Sequence, residues 1–171
     1  MPESLVGRMH FDTAQGQILD HDRRYLLMRT DVLMGIFNRL PENIRHAALR
    51  AFEASVAENG GKSAQAYYES LNCDAVRLIQ TMVDFSAELG WGCWSFTAAS
   101  DREIQLTVQN SPFAAGYGTS ANGPVCYPIA GMLQTVGRLI LGSAVTVTET
   151  QCCASGPHID ACQFTICSDT Q

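Results

Sequence analysis

Three cysteines and one glutamate near the C-terminus are the residues best placed to do chemistry together. They stand at Cys126, Glu149, Cys152 and Cys162, in the spacing Cys-x22-Glu-x2-Cys-x9-Cys. Three soft thiolates and a carboxylate can complete a tetrahedral shell around zinc, an ion with no geometric demand beyond that number. The Glu149-x2-Cys152 step is expected where a strand runs out into a loop, so that both side chains can converge. Four protein ligands leave no open position, which is the pattern of a structural ion and not of one that activates water. The competing reading is plain core filling. Cysteine is among the most buried residue types, and this spacing is not a standard zinc-finger pattern.

The elements that would position these four residues can be read from pattern. Pro124 is expected to open a helix in which Val125, Ile129, Met132, Val136, Leu139 and Ile140 follow a core-facing rhythm. Cys126 then falls in the first turn, where free amides and the helix dipole favour a thiolate. Leu141-Gly142 ends that helix, and residues 143–149 alternate as a strand with Val145, Val147 and Glu149 on one face. Cys162, Phe164 and Ile166 share one face of a final strand. One helix start and two strand ends would therefore supply the donors.

Upstream, the chain reads as helical. An N-terminal arm, residues 1–25, carries short β-like pieces about a Gln15-Gly16 turn and could pack on its own domain or on a partner chain. Thr30 or Asp31 can cap a helix with Val32, Leu33, Ile36, Phe37 and Leu40 as its stripe. After Pro41, a second helix carries Ile44, Ala47, Ala48, Ala51, Phe52 and Val56, with Asn59-Gly60-Gly61 as its stop. Residues 62–70 form a short helix. Asn72-Cys73-Asp74 introduces a longer one, with Val76, Ile79, Val83 and Leu89 as the expected buried stripe. At Leu89-Gly90-Trp91-Gly92 the pattern changes. Trp94, Phe96 and Ala98 alternate, Ser100-Asp101 turns, and Ile104, Leu106 and Val108 alternate in return, which is a β-hairpin with one apolar face. Residues 110–122 are punctuated by Pro and Gly and read as a loop, a candidate lid. The whole is one α+β domain over residues 1–171, with a helical N-terminal half and an antiparallel sheet packed against helices.

Composition excludes several classes. Hydrophobic content of 46% with 16% charged residues in 171 residues describes a globule with a real core. A net charge of −6 without any Lys/Arg cluster disfavours a nucleic-acid surface. Seven cysteines, an odd number, and no apolar stretch at Met1–Arg8 point to reduced thiols in a cytoplasmic protein. No apolar run approaches the length of about 18 residues that spans a bilayer. No phosphate-binding glycine loop and no Ser/His/Asp set are visible, and no paired carboxylates are marked out for acid–base work. Nothing therefore identifies an enzyme.

Pro124-Val125-Cys126, the Gly-containing helix behind it, Glu149-x2-Cys152 and Cys162-x-Phe164 together resemble the closing half of the 4-vinyl-reductase domain family. Weaker similarity runs upstream through Gly90-Trp91-Gly92 and the strand from Ile104 to Asn110. That family comprises small-ligand-binding domains of aromatic-hydrocarbon sensors and of bacteriochlorophyll biosynthesis proteins. The resemblance implies a zinc held by Cys126, Glu149, Cys152 and Cys162. The loop before Cys162 is slightly longer than the family's, so Cys153 and His158 remain alternative fourth ligands. It also implies a fold shared with TRAPP trafficking subunits and haem-based nitric-oxide sensors. By the same resemblance, Phe85, Trp91, Trp94, Phe96, Phe113, Tyr117, Tyr127 and Met132 lie in the elements around a ligand pocket; ordinary core is the competing reading for each. The Trp and His that hold a phenol in the phenolic sensors are not matched at Asn110-Ser111-Pro112-Phe113 or on a preceding helix. The expected ligand is accordingly an aromatic hydrocarbon, a tetrapyrrole or a lipid-like compound. The expected role is a non-catalytic, zinc-stabilised sensor or carrier, dimeric through its arm and the apolar helix that follows. The alternatives are a reductase or accessory protein acting on a tetrapyrrole vinyl group, and a purely structural interaction protein.

Overall fold

The computed structural model describes residues 4–72, 74–119 and 123–169. Four antiparallel strands form the main sheet in the order β4-β5-β7-β6: β4 (Cys93–Ser100), β5 (Glu103–Gln109), β6 (Val145–Gln151) and β7 (Ala161–Ser168). The two central strands bury alternate residues, as half-buried strands must. Ile104 pairs with Ile166, Leu106 with Phe164 and Val108 with Cys162 across the β5–β7 ladder. All six are buried, so three rungs of inward side chains make one continuous apolar face.

Helix α7 (Tyr127–Leu141) lies on that face, with Ile129, Leu133 and Val136 fully buried. It starts three residues later than Pro124 suggests: Cys126 is its N-cap residue and Pro128 occupies its first turn. Four further helices pack against α7, the edge strand β4 and one another. They are α2 (Thr30–Arg39), α3 (Glu42–Ser55), α4 (Gly61–Ser70) and α5 (Ala75–Glu88).

Residues Asn59-Gly60-Gly61 do not stop the second helix. A π-helical turn, Val56–Gly60, joins α3 to α4 without a break. These glycines serve close packing: a methyl group on Gly61 would overlap the side chain of Thr135 on α7. The residues read as a loop contain α6 (Pro112–Tyr117), capped by the Ser111 hydroxyl, which accepts from the Ala114 amide at 3.4 Å. Serine followed by proline is a helix-start signature, here overshadowed by the glycines downstream. Cys73 and residues 120–122 lie outside the described residues.

Several stripes sit on a different face from the one periodicity selects. In α5 the buried residues are Leu78, Thr81, Met82, Phe85 and Ser86, while Val76 is 76% exposed and Leu89 also reaches solvent. In α2 they are Met34, Gly35 and Phe37, with Val32 55% and Ile36 54% exposed. In α3 only Leu49 is fully buried, and Ile44 is exposed. Each of these helices carries apolar residues around much of its circumference, so periodicity alone leaves the inward direction open.

The N-terminal arm makes a small sheet of its own. It comprises α1 (Leu5–Arg8), β1 (His10–Asp12), β2 (Gln17–Asp20) and β3 (Arg23–Tyr25), paired β1-β2-β3. Leu5 is buried against the body. The Arg8 guanidinium donates to Asp20 at 2.8 and 3.2 Å and to the Tyr67 hydroxyl, and Asp20 is fully buried. Among the described residues, no helix is long and apolar enough to cross a membrane.

Candidate functional site

Cys126, Glu149, Cys152 and Cys162 come together from three elements, their ligand atoms all within 4.8 Å of one another. Cys126 stands at the N-terminus of α7. Glu149 and Cys152 flank the end of β6, where a bulge between Glu149 and Gln151 bends the strand. Cys162 is the second residue of β7. The Cys126 sulfur lies 3.6 Å from that of Cys162 and 3.9 Å from that of Cys152. Sulfurs bound to one tetrahedral ion at about 2.3 Å stand about 3.8 Å apart. The cluster already has that shape.

Its surroundings also fit a cation. Glu149 Oε2 accepts the Cys126 amide hydrogen at 3.0 Å, while Glu149 Oε1 is buried with no hydrogen-bond partner. An unpaired carboxylate oxygen is costly inside a protein unless it faces a positive charge. Burial, with the Cys152 sulfur beside it, pushes the Glu149 carboxyl up to about 8 in the metal-free cluster. The Cys126 and Cys162 thiols turn toward Cys152 and favour its thiolate, lowering Cys152 while raising Cys126. Four acids packed this closely cannot all ionise unaided, and a divalent ion removes that obstacle.

Two further contacts complete the site. Ser111 is buried and its hydroxyl meets the Cys126 sulfur at 3.2 Å. The Cys153 amide donates to the Cys162 sulfur at 3.3 Å, so Cys153 contributes its backbone here. His158 is exposed and is not one of the four clustered residues. Residue spacing carried no sign of Ser111, because its role depends on α6 docking beside the N-terminus of α7.

A separate apolar cavity of about 290 Å³ lies between the arm and the helices. Its walls come from α1 and β3 of the arm, the π-turn, α4, α5 and α7, and include Leu5, Met82, Phe85, Trp91 and Met132. Tyr25, Asn59, Ser63 and Tyr67 add polar groups to the lining.

Residues 104–167 match the model of the 4-vinyl-reductase domain. No curated protein matches the chain in sequence. Among solved structures the chain is similar to the phenol-responsive sensory domain of the transcription activator PoxR with phenol: 15% identity, TM-score 0.77, covering 96% of this chain and 86% of that one. It is also similar to trafficking protein particle complex subunit 3 from Naegleria fowleri covalently bound to palmitic acid, at 10% identity and TM-score 0.52 over 82% and 95% of the two chains. A vinyl-4-reductase family protein from Methanocaldococcus jannaschii gives 16% identity and TM-score 0.50 over 80% and 88%. At these identities the likeness establishes the shared fold.

The matched segment contains all four clustered donors. Of the aromatic and soft residues expected around a pocket, Phe85, Trp91 and Met132 line the apolar cavity. The others are elsewhere. Trp94 is buried in the main core, its indole N–H donating to the Trp91 carbonyl at 3.1 Å, and Phe96 packs edge-on against it. Phe113 is buried on α6 with its ring edge-on to Trp91. Tyr117 and Tyr127 border a second, more polar cavity of about 280 Å³, where the Tyr127 hydroxyl lies 3.0 Å from His46 Nδ1. Met82, Leu5 and Tyr67 are lining residues that the sequence did not mark, since the stripe read on α5 left Met82 out.

Proposed function

We propose that this chain is a zinc-stabilised sensory or carrier domain that holds one small, largely apolar molecule in the cavity beneath its N-terminal arm. The cavity carries the reading: it is apolar, about 290 Å³ in volume, and bordered by few polar groups, as small-molecule sites are. The PoxR sensory domain has the same fold and was solved with phenol, which supports a ligand in this framework. Zinc is the ion that three thiolates and a carboxylate select, because soft donors in a tetrahedron favour it over the oxygen-seeking cations. Cys126, Glu149, Cys152 and Cys162 would hold it. Bound there, zinc supplies charge and cross-linking: it ties the start of α7 to the ends of β6 and β7. The cavity volume favours a one- or two-ring aromatic over a tetrapyrrole, whose macrocycle is larger.

A dimer is part of the proposal. Leu26 and Leu27 are 75% and 73% exposed and lead directly into α2, where Val32 and Ile36 are also exposed. Several exposed apolar side chains this near one another in sequence fit a second copy of the chain better than they fit water. Native mass spectrometry of protein purified without chelator tests the metal and the dimer. The expected mass is a dimer with one zinc per chain. Zinc well below half an equivalent removes the metal reading, and a monomer at micromolar concentration removes the dimer. Naphthalene at a hundredfold excess over its Kd is expected to stabilise the protein by roughly 2.7 kcal/mol, and Met132→Lys to abolish the gain. No thermal shift with naphthalene, toluene or any other small aromatic would remove the ligand reading.

A further inference from the structure

The apolar cavity has an organised polar corner, and its chemistry narrows what the cavity would accept. Tyr67 on α4 and Tyr25 on β3 both line it, one from the body and one from the arm. The Tyr67 hydroxyl accepts a hydrogen bond from Arg8, and its own proton has no acceptor among the described residues. The Tyr25 hydroxyl makes no hydrogen bond among the described residues either. Arg8 lies 5.5 Å from the centre of the Tyr67 ring and 5.4 Å from that of Phe85, and those two rings meet edge-on at 5.0 Å. The charge of Arg8 is already balanced by its two-point pair with the buried Asp20. The corner therefore offers O–H donors without a net positive field.

We propose that Tyr67, seconded by Tyr25, anchors a neutral aromatic ligand through a single acceptor oxygen, as in an aryl ketone, aldehyde, ester or ether. The inference rests on the ligand-binding reading of the same cavity. A hydrocarbon would leave the Tyr67 hydroxyl proton without an acceptor, whereas a carbonyl oxygen takes it. A carboxylate would bring negative charge close to Asp20 with Arg8 already committed, so it is disfavoured. Because one tyrosine belongs to the arm and the other to the body, a bound oxygen would also pin the arm shut.

Acetophenone and ethylbenzene differ at this position by C=O against CH₂ and are otherwise close in shape. Calorimetric titration of the intact protein is expected to show acetophenone binding at least tenfold more tightly, with benzoate no better than ethylbenzene. Tyr67→Phe should erase most of that preference while leaving ethylbenzene binding within about twofold, given that a buried hydrogen bond is worth a factor of about ten. The bound ketone's carbonyl stretch should shift to lower frequency in the wild type and back in the variant, a signature that a purely structural role for Tyr67 would not produce. Should Tyr67→Phe fold poorly without Arg8's partner, Tyr25→Phe provides the same comparison with a smaller loss. An acetophenone preference that survives both substitutions, or tighter binding of ethylbenzene or benzoate, overturns the anchor. Failure of all three probes to bind the wild type overturns the cavity reading itself, and the anchor with it.

Discussion

Cys152→Ser is expected to empty the metal site and to cost the fold several kcal/mol. Cys152 is one of the clustered donors: its sulfur is 3.9 Å from that of Cys126, and its thiolate is the one favoured by the neighbouring thiols. The serine hydroxyl is shorter and does not give up its proton to an ion as a thiol does. Without metal, α7 is joined to the ends of β6 and β7 by thiol contacts and the bond from the Cys126 amide to Glu149. In structural zinc sites the binding energy is folding energy, on the order of 10 kcal/mol in small domains. This domain has its own core, so only part of that is at stake. Urea denaturation alongside zinc analysis reads the result. Chelator-treated wild type should match Cys152→Ser, and added zinc should restore the wild type alone. An unchanged midpoint with full metal content would contradict the assignment. Glu149→Gln should be milder, since the amide oxygen can still face the ion.

Zinc uptake at neutral pH is expected to release about three protons per ion. Before binding, Glu149 is protonated through much of the neutral range, because burial raises its carboxyl to about 8. Cys126 and Cys162 are held as thiols by their contacts with Cys152 and by burial, and Cys152 alone carries the negative charge. All four groups must be ionised around the metal, so the three protons still bound, on Glu149, Cys126 and Cys162, leave. The sign follows directly. Lowering the pH opposes binding, and affinity should fall by up to roughly a thousandfold per unit while three protons are exchanged. The dependence should flatten as pH rises past about 8, where Glu149 ionises without help. Indicator absorbance in weakly buffered protein measures the release directly. A value of one or none would mean that the four groups do not act as a metal shell, and Glu149→Gln should reduce the count to about two.

That Cys126, Glu149, Cys152 and Cys162 would cluster was legible because they are rare residue types. Three cysteines and a glutamate at fixed spacing, beside a Pro-opened helix and two alternating strands, leave few ways to converge. The apolar pocket was legible only in part. Phe85, Trp91 and Met132 line it, yet Trp94 and Phe113, identical in kind, are committed to the main core. Apolar side chains have no direction written into them; what they face depends on which element docks where. Met82 and Leu5 illustrate the point. One lies on the face of α5 that periodicity did not select, and the other reaches the cavity from a segment far away in sequence.

What the sequence determined by itself is local and chemical. The alternation of Ile104, Leu106 and Val108 and of Cys162, Phe164 and Ile166 specifies half-buried strands, since side chains in a strand point to opposite faces in turn. The four donors are of the kind that suits a soft tetrahedral ion. Only the tertiary structure decided which faces of α2, α3 and α5 point inward. It alone showed that Gly60-Gly61 allow a helix to approach α7 instead of ending one, that Ser111 reaches the Cys126 sulfur, and that the arm closes a cavity with Leu5 and Tyr25. The reason is the same in each case. Periodicity fixes which residues share a face, whereas burial is settled by long-range packing among elements with more than one apolar side.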